Sequence, residues 1–198
     1  MTEGRPTSVD PLALLAADRR LAREQQDPCA NLCTLANVDE TGLPQARTLV
    51  LRDLEARLAV FVNATSPKYP SLETGPVSVV VWLPTVNVQY RLACTTEPVP
   101  AATVAESWLL RPEPPKRMDW LYARVQAQST PVESREALLA MLARLDPPEP
   151  LTAPEVAMGF FLLPSRIERL DLGQADGIHD RRRYTLGNPG WYEAVLVP

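Results

Sequence analysis

Residues 46–68 read A-R-T-L-V-L-R-D-L-E-A-R-L-A-V-F-V-N-A-T-S-P-K. Two apolar runs rich in Val, Leu and Thr, residues 48–51 and 58–62, flank a short charged segment at 53–57. Such runs suit a pleated, half-buried surface, so the pattern predicts a β-hairpin. A hairpin that only fills a core needs neither a cation at each end of its first strand nor a Ser-x-Lys after its second. Arg47, Arg52 and Lys68 gather positive charge around one hairpin mouth, and a phosphate monoester is bound by guanidinium and ammonium groups gathered in this way. Arg47 and Arg52 stand an odd number of positions apart, so a regular strand sends them to opposite faces. One ligand meets both only if the strand ends or bulges between them, or if the backbone makes part of the contact.

The composition narrows the function classes. The chain has 198 residues, 45% hydrophobic and 22% charged, which fits a globular protein with one full core rather than a disordered one. The expected organisation is a mobile end at residues 1–9 and a single domain at 10–198. No apolar run approaches the length that spans a bilayer, and no signal-peptide core opens the chain, so neither a membrane nor export is expected. A net charge of −4 without a basic tract argues against nucleic acid as a partner. Cys29, Cys33 and Cys94 are an odd set without framework spacing, and read as buried free thiols of a reducing, cytoplasmic compartment. The single His179 cannot build a His-rich metal site, and no Cys, His and carboxylate cluster has ligand spacing. Neither a G-x-G-x-x-G nor a Walker loop occurs.

In chain order, Asp10-Pro11 is an N-cap followed by a residue suited to the first helical turn. Leu12, Leu15, Ala16 and Arg19 share one face of that helix, which Asp27-Pro28 stops near Gln26. Strands are expected over 29–38, 45–52 and 58–63 as a three-stranded meander, then over 77–83 and 87–96. Residues 70–74 form a helical turn. A helix over 101–110 buries Val104 and Trp108, a break follows at 111–115, and a short helix covers 118–125. Residues 133–145 carry an amphipathic stripe capped by Ser134, a core helix without chemistry. The remaining expected strands are 156–163 and 167–172, with a turn at Pro164-Ser165-Arg166, and then 181–186 and 191–197.

The opening hairpin resembles the flavin-binding segment of the pyridoxamine 5′-phosphate oxidase family, where an R-x-V-x-L-K strand and an S-R-K turn hold FMN. The first motif stands here as Arg47-Thr48-Leu49-Val50-Leu51-Arg52 and the second as Ser66-Pro67-Lys68. Val88-Gln89-Tyr90-Arg91-Leu92 is similar to the family's R-Q-V-R-V strand, and Arg111-Pro112 to its substrate-phosphate motif. Of the tyrosine and serine that accompany that Arg-Pro, Ser107 and Pro115 occupy the places. Gln128-Ser129 resembles a Gln-Ser pair near the flavin phosphate. Gly177-Ile178-His179-Asp180-Arg181 resembles the R-L-H-D-R motif, with Gly for the leading Arg.

The resemblance covers residues from about 10 to 198 in order and implies an FMN-binding split β-barrel, mainly β with peripheral helices, closed and antiparallel. It also implies a homodimer with the flavin between subunits. Residues Arg47, Arg52, Phe61, Val62, Ser66, Lys68, Gln89, Gln128, Ser129 and Arg181 would bind FMN, while Arg52, Arg111 and His179 would address the substrate. The implied activity is oxidation of an amine or alcohol of a small, possibly phosphorylated substrate, with hydride transfer to FMN and reoxidation by oxygen. Two alternatives stay open. One is a flavin-binding module without turnover, and the other a divergent flavin reductase or oxidase that does not act on vitamin B6 phosphates.

Overall fold

A computed structural model describes residues 4–198. The N-terminal helix α1 (Pro11–Glu24) forms as expected: Asp10 accepts from the Leu12 N–H at 2.9 Å, and Pro11 fills the first turn. There follow β2 (Leu32–Val38), β3 (Pro44–Val50), β4 (Arg52–Leu54), β5 (Arg57–Asn63), α2 (Tyr69–Thr74), β6 (Val77–Leu83) and β7 (Val88–Pro98). Three helices, α3 (Ala101–Leu109), α4 (Glu113–Arg124) and α5 (Arg135–Ala143), precede β8 (Ala157–Asp171), β9 (Asp180–Leu186) and β10 (Trp191–Leu196). Within the end expected to be mobile, Arg5–Pro6 form β1 against β10. Residues 1–3 of that expectation lie outside the described residues.

All strands pair antiparallel, in the order β1-β10-β9-β8-β7-β6-β2-β3, with β5 joined to β8 and β4 to β5. The 15-residue β8 carries the curl. Its first part pairs with β5 and its second with β9 on one edge, while β7 runs along the other. The sheet therefore bends through β5-β8-β7-β6-β2-β3. The architecture is the expected split barrel, but its closure is not: β3 and β5 come near one another without pairing.

That opening corrects the hairpin as well. β3 pairs with β2, and the true hairpin is β4–β5, turning through Glu55-Ala56 at φ 49° and 61°, as a two-residue turn of the I′ kind requires. Leu51 separates β3 from β4 because other groups hold its backbone. Its N–H donates to Asn31 O at 2.9 Å, and its carbonyl accepts from the Arg19 guanidinium at 2.9 Å. Arg19, fully buried on α1, also donates to Ala30 O at 3.0 Å and ion-pairs with Asp53. A buried guanidinium needs this many partners, and satisfying them interrupts the strand.

Three smaller corrections follow the same logic. Residues 29–31 are a turn, not the start of β2. The turn expected at Pro164-Ser165-Arg166 is a bulge in the unbroken β8, opposite Ala93 and Cys94, which lets one strand bend and serve two partners. The break expected over 111–115 is shorter, because Pro114 and Pro115 sit in the first turn of α4, where no N–H is needed.

The barrel interior holds Leu35, Val60, Val79, Val81, Tyr90 and Ile167 among others, and a second cluster of Ala59, Val99, Val104 and Phe161 lies under α3. Cys33 and Cys94 are free and buried, and burial pushes their thiols up to about 11 and about 12. The amphipathic helix forms with its Ser134 cap, but none of its residues is buried. It lies against α4 and is not the core helix expected.

Candidate functional site

The gap between β3 and β5 is lined rather than filled. One cavity of about 430 Å³ lies among Leu49, Phe61, Val62, Lys68, Tyr122 and Gln128, and extends to Asn63, Arg111 and Asp119. The turn after β5 shapes its floor. Asn63 Oδ1 accepts from the Thr65 N–H at 2.9 Å and hydroxyl at 2.7 Å, and Thr65 Oγ1 accepts from the Gln128 N–H at 3.0 Å. The segment after α4 is thereby fastened to the segment after β5. Two amide atoms at this junction, Asn63 Nδ2 and Gln128 Oε1, are buried without a partner among the described residues. Such atoms are costly unless something hydrogen-bonds to them.

Lys68, which lines this cavity, and Arg47, near enough to lower its ammonium, are equally uncompensated. Lys68 donates to the buried Ser66 hydroxyl at 2.7 Å, and Arg47 donates to Asn37 Oδ1. Among the described residues neither has a carboxylate partner. Burial lowers the Lys68 ammonium, and the nearby Arg47 charge lowers it further; burial alone lowers Arg47. Two partly buried, mutually repelling cations without an acid fit an anion of high charge density. The donor set and the orphaned amides fit a phosphate and the polar flank of a flavin, and Leu49, Phe61 and Val62 offer an apolar wall in the same cavity.

A second cavity of about 290 Å³ opens beside the first, between β3, β5, β8 and α3. Its walls include Val50, Phe61, Val104, Trp108 and Met158, and its polar groups are Thr48, Arg52, Ser107 and Arg111. Arg52, beyond the break at Leu51, lines this cavity, whereas Arg47 does not. Arg52 is exposed and has no ion-pair partner among the described residues, whereas Arg111 pairs with the buried Asp119. Asp119 also accepts from Trp108 Nε1 at 2.8 Å.

Other expected site residues lie elsewhere. Gln89 and Arg181 come together on the outward side of β7-β8-β9, around a hollow of about 150 Å³ with Arg91, Glu168 and Leu170. Arg181 donates to Glu168 at 2.8 Å, and burial raises the Glu168 carboxyl less than its arginine neighbours lower it. His179 is exposed in the loop before β9 and lines none of these cavities, and Ser129 is exposed in a left-handed conformation at φ 69°. Arg52, Phe61, Val62, Lys68, Arg111 and Gln128 thus line the cavities at the split, Ser66 and Arg47 stand beside Lys68, and Gln89 and Arg181 gather at a separate patch. Sequence reasoning missed Asn63 and Asp119, which carry no motif signal. It placed Arg19 on a helix face without a role, although a cation among Leu12, Leu15 and Ala16 was the available clue.

Comparisons with known proteins accord with this geometry. Residues 15–99 match the sequence family described as pyridoxamine 5′-phosphate oxidase, FMN-binding domain. A pyridoxine/pyridoxamine 5′-phosphate oxidase of Pseudomonas putida is 32% identical, over 88% of this chain and 81% of the relative. Its counterpart in Chromohalobacter salexigens is 31% identical, over 99% and 91%. In fold, the chain is similar to PhzG of Burkholderia lata, solved with tetrahydrophenazine-1-carboxylic acid, with a TM-score of 0.81, 23% identity and coverage of 98% and 94%. It is also similar to a pyridoxamine 5′-phosphate oxidase-related, FMN-binding protein of Nostoc punctiforme, with a TM-score of 0.77, 18% identity and coverage of 96% and 99%.

Proposed function

The chain belongs to the pyridoxamine 5′-phosphate oxidase family, and from that premise we propose that it is an FMN-dependent oxidoreductase acting on an amine or alcohol of a small substrate. The observation that carries this reading is the pair of acid-free cations, Arg47 and Lys68, beside the orphaned Asn63 and Gln128 amides in the β3–β5 split. Arg47, Ser66, Lys68 and Gln128 seat the flavin phosphate. Leu49, Phe61 and Val62 exclude water along the ring, and Arg52 and Arg111 border the space left for substrate. The chemistry that bound FMN supplies is two-electron oxidation, taking a hydride from the carbon and handing the electrons to dioxygen as peroxide.

The separate patch supports a homodimer. Trp82 pairs with Gln89, Gln89 with Leu170, and Leu170 with Arg181, so these residues form one row on the barrel's outward side. Trp82 remains 38% exposed in that row. A second copy of the chain covering this face would bring Gln89, His179 and Arg181 toward a cleft that one subunit builds only in part. No helix of the described residues is long and apolar enough to cross a membrane.

The test is an absorbance spectrum of the purified protein after addition of FMN, followed by anaerobic addition of pyridoxamine 5′-phosphate and then of unphosphorylated amines and alcohols. The expected result is a bound-flavin band that one of these substrates bleaches and that air restores. A band that no substrate bleaches would favour a flavin-binding module, and no band at all would overturn the reading.

A further inference from the structure

The cavity beside the proposed flavin seat carries less free positive charge than its two arginines suggest. Two guanidiniums border it, but Arg111 is already spent: its guanidinium pairs with Oδ2 of Asp119, itself buried and held at the same oxygen by Trp108 Nε1 at 2.8 Å. Arg52 alone keeps an uncompensated positive charge there. The Ser107 hydroxyl lines the same cavity without a hydrogen-bond partner among the described residues, while the remaining surface is largely apolar, from Leu49, Val50, Phe61, Val104, Trp108 and Met158. A phosphate dianion needs more than one free cation to offset its desolvation in such surroundings. One guanidinium matches one carboxylate in the bidentate geometry that arginine favours.

Resting on the flavoprotein reading above, we propose that this site takes a planar, apolar monocarboxylate rather than a phosphate ester, and that Asp119 sets this preference by holding Arg111. The carboxylate meets Arg52 and the Ser107 hydroxyl, and its apolar body lies against Phe61, Trp108 and Met158. Asp119 touches no ligand in this arrangement; it is a positioning residue that removes a cation from the site. Arg111 lies at the junction of both cavities, so releasing it from Asp119 would supply a second charge where a phosphate could use it.

Two probes with one ring system test this, 2-naphthoate and 2-naphthyl phosphate, titrated by calorimetry into the FMN-loaded protein. The expected result is at least tenfold tighter binding of the carboxylate by the unaltered protein. In Asp119→Asn the preference should shrink at least tenfold, chiefly through tighter phosphate binding, and Arg52→Met should lose the carboxylate. Equal or tighter binding of the phosphate by the unaltered protein overturns the proposal, whether or not the Asp119 variant folds. So does a folded Asp119→Asn with an unchanged ratio. The visible spectrum separates the two readings: without a flavin band the oxidoreductase reading fails, and the same titration of the flavin-free chain still reads the preference, since every residue invoked comes from one chain. A flavin-loaded protein that prefers the phosphate fails this inference alone.

Discussion

Arginines crowd two regions of this molecule, and the fold treats them in opposite ways. Across β7, β8 and β9 each of three arginines is matched by carboxylates: Arg169 by Asp18 and Asp171, Arg181 by Glu168, and Arg182 by Asp180 and Glu193. The Tyr90 hydroxyl joins the first group, donating to Asp18 at 2.5 Å, and burial and then Asp18 push its phenol up. At the β3–β5 split, Arg47, Arg52 and Lys68 have no acid at all among the described residues. Paired charges hold the barrel's far side together. Of the unpaired ones, the partly buried Arg47 and Lys68 cost stability in the free protein, a cost that the proposed flavin phosphate would offset.

The comparison can be broken from either side. The largest effect on folding is expected from Arg169→Met, which strands Asp18 beside Tyr90: about 2–3 kcal/mol lost in denaturant unfolding, with FMN affinity within twofold of the unaltered protein. A comparable loss of flavin affinity would mean that the paired region also serves the site. Lys68→Met should do the reverse. It removes one charge-assisted hydrogen bond, worth roughly 1.5–3 kcal/mol, so FMN should bind about 10- to 100-fold more weakly in a fluorescence titration, while stability holds or rises.

The smallest and sharpest effect is in the pH dependence. Burial, then Arg47, lower the free-protein Lys68 ammonium below its ordinary 10.5. Its folded value lies below its unfolded one, so flavin-free stability should rise with pH between the two values, where the unfolded chain holds the extra proton. FMN affinity should move oppositely, falling as pH climbs through the lowered value, because the phosphate needs the ammonium. Lys68→Arg should flatten both profiles. Profiles that do not respond to Lys68→Arg would assign the pH dependence to another group.

Where local chemistry decided structure, the chain could be read directly. The alternation in Val77–Leu83 is the observed β6, and Asp10-Pro11 caps α1 as its residue types require. The reading failed where a distant group intervened. Nothing within residues 46–68 says that Leu51 leaves the ladder, because the cause is Arg19 on α1. Pro164-Ser165-Arg166 has the composition of a turn, yet the pairing of β8 to β7 on both sides of it keeps the strand continuous through a bulge. For the site, the motif cations were legible, since Arg47, Lys68 and Arg52 sit in short recognisable runs. Their lack of acids was not legible, nor was the capture of Arg111 by Asp119, because which charges meet depends on how α3 and α4 pack.

The central claim is that the acid-free cations at the split seat the flavin's phosphate. Competition between FMN and riboflavin for the purified protein, read by quenching of flavin fluorescence, tests it most directly, since the two ligands differ by the phosphate alone. The account expects riboflavin to bind at least 100-fold more weakly than FMN, with Lys68→Met and Arg47→Met each closing much of that gap. Equal affinity for the two, or a gap that survives both substitutions, would contradict it.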